Sequence, residues 1–85
     1  MQVSVDISLY PLHQDYIPRI DAFILLLNQE PNVQVVTNAL STQLYGEYET
    51  VMRLLARAMG DHMAIHDDSV FTIKVLNGDR SGQNE

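Results

Sequence analysis

The 85-residue chain has no cysteine, few basic residues and no long apolar run. Without cysteine, disulfides, zinc–thiolate sites and thiol nucleophiles are excluded, and the composition fits a reducing compartment. The longest apolar run, Ala22 to Leu27, is too short to span a bilayer. The N-terminus has neither the basic region nor the continuous apolar region of a signal peptide. We therefore expect a cytoplasmic protein that does not associate with membranes.

Basic residues are also scarce. Five Lys and Arg stand against eleven Asp and Glu, which gives a formal net charge of −6, and the basic residues are scattered along the sequence. Because binding to nucleic-acid phosphates requires clustered Lys and Arg, we expect no nucleic-acid partner. The acidic balance mainly indicates solubility, and it would also tolerate a cationic ligand.

Four β-strands are predicted, three from alternation of apolar and polar side chains and the second from its β-branched residues. The clearest covers residues 3–10, and it ends at Pro11, which cannot donate a ladder hydrogen bond. The other three are expected at residues 33–37, 40–45 and 70–76. A tight connection at Asn38 and Ala39 would join the second strand to the third.

Apolar residues spaced by three and four predict two amphipathic helices, at residues 15–28 and 47–64. Asp15 suits the N-cap of the first helix, and Pro18 then falls in its first turn, where a missing N–H is tolerated. Gly60 is a weak point within the second helix and could mark an earlier end.

The element order is therefore βαββαβ, which predicts an α+β, ferredoxin-like fold. Right-handed crossovers give a four-stranded antiparallel sheet of order 4-1-3-2, with both helices on one face. We expect a single domain over residues 1–78 and a flexible C-terminal tail over residues 79–85.

The face of the sheet that the helices leave open is expected to be polar and aromatic. Two interpretations apply: a solvated or dimer-forming face, or a shallow pocket for a flat heteroaromatic ligand. The two are compatible, because pairing two such faces would enclose a pocket. Helix-side positions of the third strand are expected at Leu40, Thr42 and Leu44. The open-face positions are Ser4, Asp6, Ser8, Tyr10, Ser41, Gln43, Tyr45, Val70, Thr72 and Lys74.

Two short motifs carry a family resemblance. S-L-Y-P at Ser8–Pro11 ends the first strand, and S-T-x-L-x-G at Ser41–Gly46 forms the third strand. With the element order, they resemble the thiamin/hydroxymethylpyrimidine-binding (YkoF-like) family over residues 3–78. The resemblance implies a non-catalytic protein, without a cofactor, that binds thiamin or its hydroxymethylpyrimidine moiety and serves thiamin supply. It also implies a homodimer or homotetramer.

The resemblance suggests the ligand-binding residues. Hydroxyl and amide groups can satisfy both the ring-nitrogen acceptors and the amino donor of an aminopyrimidine. Thr42 is expected on the helix side, whereas Ser41 points to the open side, so the pocket could lie on the open face or between sheet and helices. The residues that match the family are Ser8, Tyr10, Asn38, Ser41 and Thr42, and those added by position alone are Gln43, Tyr45 and Glu47.

Other chemistries have weaker support. His62 and His66 are four residues apart and could bind a metal, but a solvated helix terminus is the favoured interpretation and no metal site is expected. No nucleophile and base stand in a recognised catalytic context, so we expect no enzyme. The alternatives are a sheet-paired regulatory or interaction module that binds a partner protein or another metabolite, and a small ferredoxin-like enzyme.

Overall fold

The structure is a computed structural model that describes residues 1–82. It has the predicted order of four strands and two helices. The elements are β1 (Gln2–Pro11), α1 (Tyr16–Leu27), β2 (Gln34–Thr37), β3 (Thr42–Glu47), α2 (Tyr48–Ile65) and β4 (Ser69–Asn77).

The four strands form one antiparallel sheet of order β2-β3-β1-β4, which confirms the predicted ferredoxin-like topology. β1 is central and is paired along both of its edges, whereas β2 and β4 are edge strands. The register is set by pairs such as Val5↔Leu44 between β1 and β3, Val5↔Val75 between β1 and β4, and Val35↔Leu44 between β2 and β3.

The core lies between the helices and one face of the sheet. Alternate residues of β1 point into it, as their period-two pattern predicted. Both helices pack on β1, α2 also packs on β3, and the helices contact each other. The buried apolar residues are Val3, Val5, Ile7, Leu9, Phe23, Leu27, Val33, Leu44, Val51, Leu55 and Ala58.

The connection between β2 and β3 is longer than predicted. The backbone N–H of Asn38 donates to Ser41 O over 3.0 Å, which closes a turn. Leu40 lies in this turn with 90% of its surface exposed, so its predicted place on the helix side of the third strand was wrong. The cause is Asn38, whose Oδ1 accepts the N–H groups of Leu40 and Ser41 and holds the chain in a turn.

α2 begins one residue later than predicted, because Glu47 is its N-cap. The Glu47 carboxylate accepts the N–H of Glu49 at 2.9 Å and so satisfies one of the unpaired donors of the first turn. The helix continues through Gly60 without a break. Asp15 occupies the N-cap position of α1, but its side chain makes no capping hydrogen bond.

The segment after β4 folds back over one end of the open face. Ser4 Oγ donates to Gly78 O and accepts the N–H of Arg80, both at 2.8 Å, so Ser4 is buried although it faces away from the helices. The flexible tail predicted at residues 79–85 lies partly outside the described residues, which end at Gly82. Within residues 1–82, neither helix has the length and apolar character needed to cross a membrane.

Candidate functional site

A cavity of about 100 Å³ lies where the middle of α1 faces the turn between β2 and β3. It opens at the edge of the sheet on the helix side. Its walls come from three parts of the chain, and its residues are Ile7, Ser8, Leu9, Ile20, Phe23, Ile24, Thr37, Asn38, Ala39, Leu40, Ser41 and Thr42.

The lining combines an apolar wall with a few polar groups and contains no charged side chain. Phe23 supplies an aromatic ring on the α1 side. Opposite it, the hydroxyls of Thr37 and Thr42 lie 3.2 Å apart and share a hydrogen bond. Thr42 is buried, so its hydroxyl acts away from bulk water. Such a lining suits a small, uncharged ring with hydrogen-bonding groups on its edge.

A hydrogen-bond network on the open face holds the polar rim of the cavity in place. Asp6 Oδ1 accepts from Ser41 Oγ at 2.6 Å and from Gln43 Nε2 at 2.8 Å. Gln43 Oε1 in turn accepts from Asn38 Nδ2 at 2.9 Å. The network ties the turn to the central strand, so Asn38 and Ser41 are oriented by residues outside the cavity.

The predicted site residues divide into two groups. Ser8, Asn38, Ser41 and Thr42 are among the lining residues, although the Ser41 hydroxyl bonds Asp6 on the open face. The lining residues of α1 place the cavity between the sheet and a helix. Gln43 reaches its rim only through the network with Asp6 and Asn38. The remaining residues, Tyr10, Tyr45 and Glu47, lie outside the lining.

Those three residues are separated from the cavity by the geometry of the strands. Tyr10 is 55% exposed and pairs with Val70, beyond the last pair of β1 with β3. Tyr45 and Glu47 lie toward the opposite end of β3. At about 3.3 Å per residue, Glu47 is roughly 20 Å along the strand from Ser41. Its carboxylate is engaged in capping α2.

A larger groove, of about 140 Å³, lies on the outer surface between α1 and α2 and contains none of the predicted residues. It carries charges of both signs, from Glu30, Arg53, Arg57 and Asp61, over a floor that includes Leu26 and Leu54. Volume alone would favour this groove. We regard the smaller cavity as the candidate site because four of the predicted residues line it and a hydrogen-bond network holds its polar rim.

His62 contradicts the interpretation of its segment as a solvated helix terminus. Its side chain is 2% exposed and packs against Phe23 and Phe71. Helical periodicity explains the difference, because position 62 continues the buried stripe of Val51, Leu55 and Ala58. Among residues 1–82, no group of three or more metal-ligating side chains comes together.

Sequence reasoning did not identify Phe23 and Thr37 as residues that line a cavity. Phe23 belongs to the apolar stripe of α1, which indicates burial but not a cavity wall. Thr37 precedes the turn and pairs with Thr42, so the correct register of β2 with β3 would have indicated its position. The prediction of a two-residue turn gave a different register.

Comparisons with known proteins agree with this fold. Residues 2–75 match the model of the YkoF-related family. A protein from Streptococcus pneumoniae is similar to the chain at 28% identity with a TM-score of 0.84, covering 93% of this chain and 89% of that one. No curated protein matches the chain significantly.

Two further solved structures share the fold at lower identity. A candidate thiamine biosynthesis/salvage protein from Thermotoga maritima is 18% identical, with a TM-score of 0.81 over 92% of this chain and 85% of that one. A domain of unknown function from Bacillus cereus is 22% identical, with a TM-score of 0.76 over 99% and 83%.

Proposed function

The chain belongs to the YkoF-related family, and from this membership and the cavity beside α1 we propose that it is a non-catalytic binding protein for thiamin or its hydroxymethylpyrimidine moiety. Its role would be in thiamin supply. The observation that carries the proposal is an uncharged cavity lined by Phe23 on the α1 side and by the hydrogen-bonded pair Thr37 and Thr42 on the sheet side.

The pyrimidine is the part of thiamin that suits this cavity. Its ring nitrogens accept and its amino group donates, and the hydroxyls of Thr37 and Thr42 can each donate and accept. An apolar cavity of about 150 Å³ accommodates benzene. The cavity here is smaller, at about 100 Å³, and open at its mouth, so it has room for no more than one six-membered ring, part of which would lie in the mouth. The thiazolium cation would remain outside.

Two further observations support the proposal. The thiamine biosynthesis/salvage name of the structural neighbour from Thermotoga maritima points to the same ligand class. The lining contains no acid, no base and no histidine, which favours binding over acid–base catalysis.

We propose that the protein acts as a homodimer or homotetramer that pairs through its open face. Apolar side chains are exposed there on three strands: Tyr10 on β1, Val36 on β2, and Val70 and Leu76 on β4. Covering them would remove apolar surface from water. Light scattering coupled to size-exclusion chromatography tests this, and a mass of 9.6 kDa would contradict it.

The binding proposal is tested by calorimetric titration with hydroxymethylpyrimidine and with thiamin. Thr42→Val removes one hydroxyl from the cavity, and the loss of a hydrogen bond worth about 1 kcal/mol lowers affinity about fivefold. Thr72→Val is the matched control, because Thr72 is exposed on β4. In the wild type, ligand at a hundredfold over Kd stabilises the fold by roughly 2.7 kcal/mol.

Three outcomes would count against parts of the proposal. Equal affinities for Thr42→Val and Thr72→Val would show that the pyrimidine does not bind in the cavity. A loss of affinity in Tyr10→Ala instead would place it on the open face. If the wild type binds neither compound, the thiamin proposal is refuted and a sheet-paired interaction module is favoured. The exposed apolar side chains of the open face support that alternative.

A further inference from the structure

His62 is a buried polar side chain without a polar partner. It is 2% exposed, and its Nε2 atom is buried with no hydrogen-bond partner within residues 1–82. Burying such a group costs free energy that an apolar side chain of the same shape would avoid. The packing of the core alone therefore does not require a histidine at this position.

Aromatic rings surround this imidazole. The Phe23 ring meets it edge to face, with centroids 5.5 Å apart at 72°, and Phe71 does so at 6.1 Å and 77°. His66, one helical turn further along α2, lies 4.7 Å away. The two phenylalanine rings offer no hydrogen-bond acceptor, and Nε2 has no partner within residues 1–82, so the surroundings favour the neutral imidazole.

The charged and titratable groups near His62 come from three parts of the chain. α1 contributes Arg19, α2 contributes His66, and the connection before β4 contributes Asp68, which is paired with Arg19. From β4, the uncharged ring of Phe71 contacts the imidazole. Burial lowers the pKa of His62 from its ordinary 6.5, the positive charges of His66 and Arg19 lower it further, and Asp68 partly opposes them.

Phe23 links His62 to the candidate ligand site. Its ring lies against His62 and also against Phe71, at 4.9 Å, while Phe23 forms part of the cavity wall. A proton on His62 would place a charge in this apolar contact and drive the imidazole toward water. Phe23 would lose a packing partner, and the cavity wall would move.

We infer that His62 is a positioning residue that makes ligand binding pH-dependent, because it supports Phe23 in the cavity wall only while its imidazole is neutral. This inference rests on the proposed pyrimidine site and assigns a form of regulation to it. The ligand would be held at neutral pH and released on acidification.

The direction of the pH dependence follows from linkage. In the folded chain the pKa of His62 lies below its ordinary 6.5, so the unfolded chain takes up the proton first. The stability that neutral His62 contributes is fully present above pH 6.5 and is lost as the pH falls through the folded pKa. If only the neutral form binds, affinity falls about tenfold per pH unit below the folded midpoint.

The decisive variant is His62→Phe, which keeps an aromatic ring against Phe23 and Phe71 and removes the titrating nitrogen. We would measure hydroxymethylpyrimidine affinity by calorimetry between pH 4.5 and 8, with circular dichroism at each pH to verify the fold. His13→Gln is the matched control, because His13 is exposed in the β1–α1 loop. His66→Gln removes an electrostatic neighbour that lowers the pKa of His62, so the midpoint is expected to shift to higher pH.

A ligand-free measurement separates this inference from the proposed function. The Phe23 ring resonances, followed by NMR, are expected to shift with the titration of His62 in the wild type and in His13→Gln, and to stay constant in His62→Phe. Resonances that do not respond to pH would overturn the inference even if the pyrimidine binds. Affinity that is independent of pH, or equally dependent on pH in His62→Phe, would overturn it too, while absence of binding at pH 8 would refute the pyrimidine site itself.

Discussion

Removal of the Asp6 carboxylate should destabilise the fold and loosen the turn that borders the cavity. Asp6 Oδ1 accepts hydrogen bonds from Ser41 in the β2–β3 turn and from Gln43 on β3, at 2.6 and 2.8 Å. A hydrogen bond to a charged group contributes about 1.5–3 kcal/mol when it is well shielded. Asp6 is only half-buried, so we take about 1 kcal/mol for each bond and about 2 kcal/mol for Asp6→Ala.

Asp6→Asn should cost less, because an amide oxygen still accepts but the assistance of the charge is lost. Charge-assisted hydrogen bonds are roughly twice as strong as neutral ones, which leaves a loss of about 1 kcal/mol. For a domain of this size, 1 kcal/mol lowers the melting temperature by about 4–8 °C. The ordering wild type, Asp6→Asn, Asp6→Ala is thus the expected result.

The assay is urea denaturation of four proteins: the wild type, Asp6→Ala, Gln43→Ala and the double variant. The double-mutant cycle isolates the bond between the two side chains from the effects of each substitution on strand propensity. We expect a coupling free energy of about 1 kcal/mol. Asp21→Ala, at an exposed position of α1, is the control and should cause no loss of stability.

The reasoning would be refuted by a coupling below about 0.3 kcal/mol, since that is the error with which independent sites add. The Asp6 network would then be a surface arrangement without energetic weight. The orientation of Asn38 and Ser41 at the cavity would need another cause.

Two further predictions concern α2. Glu47→Ala removes the N-cap carboxylate and should lower the free energy of unfolding by about 1 kcal/mol. The affinity for hydroxymethylpyrimidine should stay as in the wild type, and a loss of affinity would indicate that Glu47 contacts the ligand. Gly60→Ala should raise the free energy of unfolding by up to about 1 kcal/mol, because Gly60 is within the helix and an added Cβ meets nothing within 4 Å. Gly78→Ala is the contrasting control and should destabilise, since Gly78 has φ +98°; equal effects of the two alanines on thermal melting would contradict this account.

Much of the fold was predictable because the signals for it are local. The alternation in residues 3–10 identified β1 and the face it buries, and spacings of three and four identified both helices. Once the order βαββαβ was known, handedness and sheet order followed from general rules of chain connection. The order β2-β3-β1-β4 confirms that inference.

The candidate site was less predictable because its parts come from distant segments. Leu40 was misplaced because the Asn38 side chain lengthens the turn, and that hydrogen bond lies outside the apolar pattern. Glu47 was assigned to ligand binding from its position beside a motif, whereas the structure uses its carboxylate to cap α2. A residue type and a neighbouring motif do not indicate which partner a side chain meets.

The sequence by itself determined which elements form, their order and which face of β1 is apolar, since each of these depends on neighbours within a few residues. Only the tertiary structure decided that α1 meets the β2–β3 turn to form a cavity with Phe23 on one side and Thr42 on the other. The contact of buried His62 with the same phenylalanine also became visible only in the tertiary structure. The physical reason is that burial and cavity shape depend on how elements far apart in the chain pack together.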